Sequence, residues 1–454
     1  MIKFASEMKK TMMWVAVALT MAACSSSDND EAVDAQIVES HTPKSSGELK
    51  DITLTRGEQA LVANNNEFAF NLFRIAGPRE PSGPAGPCYE EPEASTILSP
   101  ISITYALGML NNGAAGETQQ QINKVLGGAS PDPSQGEGMG ADAINDFCKK
   151  MLTQAPTLDS LTKVSIANTI YVNKGYELKA PFVQKANDYY GAQPETRDFH
   201  DGRTMDVINQ WASDHTEKMI EKVLDESTFN PWAVSYLLNA IYFKGTWATK
   251  FDKDETQEEQ FGEQLYGGAL KVPMMHLRGT FQYAADDDCQ VLTLPYGNGA
   301  YRMTVFLPTE GKTTYQLMQG LNAESWEKKW NNPEYGRPAF VDVKLPRFET
   351  KTDRELISDM YQLGMTNAFD ANKAEFPNFC DRATYIGLMK QVARIKLNEE
   401  GTEAAAVTVV GYDTTSWTPS EPKPLYFHAN RPFLYVISEQ STGAIFFIGH
   451  YTGY

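Results

Sequence analysis

Six histidines, five cysteines and 58 carboxylates are the groups on this 454-residue chain that could carry catalysis, yet their spacing builds no catalytic motif. His41, His200, His215, His276, His428 and His450 form no His-Glu-x-x-His pair, and no Gly-x-Ser-x-Gly elbow occurs. No Cys-x-x-Cys pair or Cys/His cluster offers a zinc site, so neither metal nor cofactor is expected. Residues 136–140, Gly-Glu-Gly-Met-Gly, lack the Lys-Ser/Thr ending of a phosphate loop and any strand before them. A glycosidase-type carboxylate pair stays open, because its separation is not written in a sequence. The residues favour a conformational switch instead, in a segment whose local propensity points two ways. In residues 398–411 the first half, Thr402, Glu403, Ala404, Ala405 and Ala406, is helix-friendly. The second half, Val407, Thr408, Val409 and Val410, is β-branched.

No proline interrupts residues 399–418, so this segment could become a central strand. As a strand it would place Thr402, Ala404, Ala406, Thr408 and Val410 on one face, with nothing charged or large among them. Such a face could slide between two existing strands. Gly401, lacking Cβ, can serve as the pivot. The alternative is a helix N-terminus with Thr402 as cap. Between Glu400 and Glu421 there is no Arg or Lys, so a trypsin-like enzyme would find no preferred bond there.

Just downstream, residues 427–437 read Phe-His-Ala-Asn-Arg-Pro-Phe-Leu-Tyr-Val-Ile. This run resembles the C-terminal signature of the serpins, inhibitors of serine proteases that work by inserting a loop into a sheet. Glu399, Glu400, Gly401, Thr402, Glu403, Ala404, Ala405 and Ala406 resemble that family's hinge at the expected distance upstream. The resemblance covers residues 59–453. It implies an α+β fold with a large central mixed β-sheet, further sheets, about eight to nine helices and a mobile reactive loop. It implies a suicide-substrate inhibitor and not an enzyme; the alternative is a non-inhibitory binding protein of the same fold on the cell surface. The family's hinge spacing puts the reactive bond at Thr415–Ser416. Counting back from Pro432 puts it nearer Trp417 or Thr418, and Tyr412 would suit a chymotrypsin-like enzyme. The implied partner is an elastase-like, chymotrypsin-like or subtilisin-like serine protease, met by a monomer.

Several elements must position that loop. Residues 65–74 have an amphipathic helix pattern, with Phe68 and Leu72, and Ala69 and Phe73, sharing a face. Residues 97–110 read as a short strand entering a buried helix, with Pro100 in its first turn. Residues 164–172 and 341–348 read as strands, 281–306 as strand, turn and strand, and 444–449 as a buried strand. Residues 208–220 read as a helix, which in serpins crosses the sheet face. Residues 237–247 carry the best internal match. There the resemblance implies that Ser99, Ser102 and Asn239 lie where the sheet parts and that Trp247 plugs its top. Gln391 stands where the family often has histidine; an amide can still donate and accept, without a histidine's pH response.

Composition bounds the rest. Hydrophobic content of 42% argues for a sizeable core, and a net charge of −18 disfavours nucleic acid as a partner. Residues 1–23 read as a secretory signal with a basic start and an apolar run too short to span a bilayer. Met21, Ala22, Ala23 and Cys24 resemble a bacterial lipobox, which implies a lipid on Cys24 and anchorage to the outer membrane. The acidic residues after Cys24 resemble surface-export tags of some Gram-negative lipoproteins. Residues 24–58 read as a flexible tether, and 59–454 as one domain. Cys289 and Cys380 are expected as buried free thiols, and Cys88 could staple its Pro/Gly-rich insert to Cys148.

Overall fold

Thr55 caps the first helix of the computed structural model, which describes residues 47–79, 94–127, 140–262, 270–332, 335–402 and 423–454. Its hydroxyl accepts the Glu58 N–H at 3.3 Å while the Glu58 carboxylate accepts the Thr55 N–H at 2.7 Å, satisfying two donors that a helix start leaves free. Helix α1 (Arg56–Ala76) therefore begins within the stretch read as tether. It buries Phe68, Ala69, Leu72 and Phe73, as the four-residue spacing predicts. Helix α2 (Pro100–Asn111) starts at its proline, and all twelve residues are buried. A helix without a polar face belongs inside a core.

Nine α-helices and fifteen strands occur among the described residues. The strands are β1 (Thr96–Leu98), β2 (Thr162–Asn173), β3 (Glu195–Arg197), β4 (Ser235–Thr246), β5 (Asp252–Phe261), β6 (Leu270–Ala285), β7 (Cys289–Tyr296), β8 (Tyr301–Pro308), β9 (Arg337–Pro346), β10 (Phe348–Glu355), β11 (Leu388–Asn398), β12 (Gly401–Thr402), β13 (Leu425–His428), β14 (Phe433–Glu439) and β15 (Ile445–Tyr451). They form two sheets. Six strands run in the order β10-β11-β12-β4-β2-β3; eight more run β1-β15-β14-β8-β7-β6-β9-β13, with β5 added on β6. The six-stranded sheet is mixed: β11–β4 and β2–β3 are parallel, the other pairs antiparallel. This is the expected α+β architecture.

Both faces of the six-stranded sheet are covered. Leu237, Ile241 and Phe243 of β4 join the main core, against which α2 packs. Tyr236, Leu238 and Ala240, alternating with them, join a second cluster with Ile208 and Ala212 of the next helix to cross the sheet. That helix spans Arg203–His215, ending earlier than residues 208–220 suggested. Thr216 stops it: its hydroxyl donates to the Ala212 carbonyl at 2.8 Å and accepts the Ile220 N–H at 3.0 Å. The chain then turns through positive φ at Glu217 and Lys218.

Cys148, Cys289 and Cys380 are free and buried, so Cys148 is not the bridge partner expected of it; Cys88 lies outside the described residues. Burial pushes the Cys289 thiol up to about 12. No helix among the described residues is long and apolar enough to cross a membrane.

His450 of β15 yields a pH prediction. Burial holds its imidazole down at about 4, and its Nε2 lies 2.9 Å from the Thr314 hydroxyl. An unfolded chain would take up this proton near pH 6.5. The folded state therefore has a contribution on the order of 3 kcal/mol, present above pH 6.5 and lost as pH falls through about 4. The melting temperature should drop between pH 7 and pH 5, and His450→Gln should flatten that drop. An unaltered slope would remove His450 from the account.

Candidate functional site

β11 and β4 run side by side only part of the way. They pair from Leu388 opposite Tyr236 to Ala393 opposite Ile241, and then separate. In the gap above sits β12. Leu397 pairs with Thr402 on one side and Gly245 with Thr402 on the other; Asn398 and Thr246 flank Gly401 likewise. Two residues of the hinge are thus already a strand, antiparallel to both neighbours. Residues 403–410, on which the choice between a strand and a helix capped by Thr402 turns, lie outside the described residues.

A tight turn makes this entry possible. The Asn398 side-chain oxygen accepts the N–H of Glu400 at 2.9 Å and of Gly401 at 3.2 Å, folding the chain back on itself. Gly401 has φ +145°, and a Cβ there would lie 2.0 Å from the Gly245 carbonyl oxygen. No other residue fits without moving the strand. Gly401→Ala should therefore dislodge β12 and lower the melting temperature of the intact protein by several degrees. Scanning calorimetry checks this, and an unchanged transition would show that the turn has slack.

Thr402 is fully buried, and its hydroxyl lies 2.7 Å from the Tyr296 hydroxyl. Tyr296 stacks on Trp247, with ring centroids 4.4 Å apart and planes 10° from parallel. Trp247 in turn donates its indole N–H to the Asn398 carbonyl at 3.0 Å and its backbone N–H to the Glu400 carbonyl at 2.9 Å. It is 3% exposed.

The two hinge carboxylates are held by cations. Glu399 accepts from the Thr256 hydroxyl at 2.8 Å and lies 3.3 Å from the Arg347 guanidinium. Glu400 lies 2.6 Å from Lys250 and 2.9 Å from Lys253. Burial pushes the Glu400 carboxyl up, but the two ammonium groups outweigh it and leave it below the usual range.

Lower down, where β11 and β4 still touch, their side chains meet α2. Gln391 donates to the Ser99 carbonyl at 3.0 Å, the Ser102 hydroxyl at 2.9 Å and the Asn239 side-chain oxygen at 2.7 Å. Its own oxygen accepts the Ser99 N–H at 3.0 Å. Asn239 donates to Asn168 of β2 at 2.7 Å and to the Ser102 carbonyl at 3.2 Å, and the Ser102 hydroxyl donates to Asn239 at 2.7 Å. All five side chains are buried. The network bonds β11, β4 and β2 to α2 where a newly inserted strand would have to pry them apart. Polar bonds in a dry interior carry weight because their loss leaves unsatisfied groups.

The structure thus gathers Ser99, Ser102, Asn239 and Gln391 into one cluster, and Glu399, Gly401, Thr402 and Trp247 into another above it. Glu403, Ala404, Ala405, Ala406, Tyr412, Thr415, Ser416, Trp417 and Cys24 lie outside the described residues. Asn168, Tyr296, Asn398, Arg347, Lys250 and Lys253 complete the site without having been anticipated. Only Asn398, an Asx residue two positions before a glutamate and three before a glycine, gave a local signal. Among the described residues no group of His, Cys, Asp and Glu is arranged to hold a metal.

The family model described as "Serpin (serine protease inhibitor)" matches residues 63–453. Iripin-2 of Ixodes ricinus is 30% identical over 401 residues, covering 86% of this chain and 93% of its own. Serpin B11 of Homo sapiens is 32% identical over 370 residues, covering 78% of this chain and 92% of its own. The crystal structure of the thermophilic serpin Tengpin in its native state superposes with a TM-score of 0.73 at 25% identity, over 89% of this chain and 96% of Tengpin.

Proposed function

The chain belongs to the serpin family, and from that premise we propose that it traps serine proteases as a suicide substrate. The protease serine attacks the carbonyl of the reactive bond, which we set at Thr415–Ser416. The amide nitrogen of Ser416 leaves with a proton, and an ester joins the two proteins. The freed upstream arm then enters the six-stranded sheet between β11 and β4, carrying the acylated protease with it. At about 3.3 Å per residue, an arm of roughly fourteen residues spans on the order of 45 Å, enough to displace and distort the enzyme before water reaches the ester.

The observation that carries this reading is β12: Gly401 and Thr402 are bonded on both sides, at the mouth of a parting that the next residues could fill in the same register. An arm inserted in the same register would set its next residue, a glutamate, between Lys396 of β11 and Lys244 of β4. Opposite charges across a strand pair favour the docking. The hinge also contains no proline and no bulky residue that would oppose insertion.

We further propose that Cys24 is lipidated, that the tether holds the domain as a monomer at the bacterial outer membrane, and that its target has a small or aromatic specificity pocket. One gel tests the inhibitor reading. Mixing with elastase, chymotrypsin or subtilisin should give an SDS-stable band of summed mass, and trypsin should give none. Turnover of the loop by all three enzymes without any such band would refute it.

A further inference from the structure

Trp232 is 80% exposed, more than any other large apolar side chain among the described residues. One exposed apolar side chain needs no explanation by itself; here its mounting and its level in the sheet supply one. The Asn173 side chain, at the end of β2, donates to the Pro231 carbonyl at 2.9 Å and to the Ala233 carbonyl at 3.0 Å, one on each side of Trp232. The Tyr236 hydroxyl of β4 accepts the Asn230 N–H at 2.7 Å and donates to the Asn230 carbonyl at 2.8 Å. His200 stands edge-on against the indole, with ring centroids 4.6 Å apart. The tryptophan is thus presented on a turn fixed from β2 and β4. A large flat side chain held that way loses little freedom when a partner covers it.

The strand register says which partner. Thr402 lies opposite Gly245, and β12 and β4 run antiparallel. The ladder between β4 and β2 continues down to the Val234 carbonyl, which accepts the Asn173 N–H at 2.9 Å. An arm inserted in the same register would step one residue back along β4 for each residue of its own. Trp232 stands thirteen residues before Gly245, and the bond set above as reactive follows the residue thirteen after Thr402. The acyl carbon would therefore stop level with Trp232, just past the end of the sheet. We propose that Trp232, braced by His200, is the anchor on which the acylated protease comes to rest. The ester ties the enzyme's serine to that level, so the surface meeting the indole is the rim of its active-site cleft. The contact forms only after displacement, and it strengthens the hold on the captured enzyme without aiding the first encounter. The inference rests on the insertion reading.

The test is hydroxyl-radical footprinting with peptide mass spectrometry on three forms: the intact protein, protein nicked in the loop by a protease outside the serine class, and the covalent complex with elastase. Oxidation of Trp232 should fall about tenfold in the complex alone. Equal oxidation in the complex and the nicked protein would overturn the anchor. Protection already present in the nicked protein would overturn it too, because the arm and not the enzyme would then cover the indole. Trp232→Ala should melt with the parent and form the complex at the parental rate, yet release active elastase about tenfold faster, as expected for loss of a buried tryptophan anchor. A parental release rate would count against the contact. Absence of any covalent band would refute the insertion reading and this proposal with it, and shows on the gel before any footprint is taken.

Discussion

Thr402→Arg is expected to turn the protein from an inhibitor into a substrate. Thr402 is fully buried between β11 and β4, with its hydroxyl against Tyr296. A guanidinium in that place has no carboxylate partner and would cost several kcal/mol to dehydrate. Before cleavage the cost is avoided: β12 slips out of the sheet, and only two residues' pairing is lost. After cleavage it cannot be avoided, because the arm must pass through the same position to zip further. Insertion slows, water hydrolyses the ester, and the protease leaves. The number of inhibitor molecules consumed per protease inactivated should rise more than about tenfold as the covalent band disappears, since ~1.4 kcal/mol already changes a rate ratio tenfold. Thr402→Val, similar in volume, controls for loss of the hydroxyl alone and should retain most trapping. Full trapping by the arginine variant would mean that the arm does not enter here.

The second large effect is thermal. Cleavage of the loop should raise the melting temperature, the reverse of what nicking does to most proteins. An arm of roughly fourteen residues gains on the order of ten ladder hydrogen bonds at a net ~1 kcal/mol each, before apolar burial is counted. For a domain of this size that corresponds to a rise on the order of 10–20 °C. The intact form is then held by a barrier, not by being the lowest state. If the arm inserts as proposed, Gln391, Asn239, Ser102 and Ser99 would have to exchange hydrogen-bond partners as β11 and β4 part, and that exchange would supply the barrier. Differential scanning calorimetry of the intact protein and of protein nicked in the loop by a protease outside the serine class, which forms no acyl-enzyme, decides the matter. Equal melting temperatures would mean that no energy is stored.

Much of this was legible before any coordinates. The buried α2 followed from an apolar run opened by Pro100 and β2 from a β-branched run, whereas residues 237–247, most of β4, were marked only by the family resemblance. Both faces of β4 are covered, so its run is nearly continuous in hydrophobicity. The helix before Glu217 was misplaced by five residues because its end is set by a threonine side chain bonding backward, which apolar periodicity does not register. The polar cluster under the sheet was legible only through family resemblance. Asn239, Ser102 and Gln391 are 137 to 289 positions apart, and nothing local says that they meet. The cations around the hinge were invisible for the same reason: Arg347 reaches Glu399 from just before β10, and Lys253 reaches Glu400 from β5 of the other sheet.

One consequence of the short strand β12 concerns timing. Starting a zipper is the slow part, because two free ends must first find each other; lengthening it is quick. With Gly401 and Thr402 already engaged, the arm begins as an anchored thread and not as a searching tail. On the proposed mechanism, capture of the enzyme would be a race between that thread running home and water cutting the ester. A runner that leaves from beyond the starting line can beat enzymes that deacylate fast, at the expense of holding less of its course in reserve.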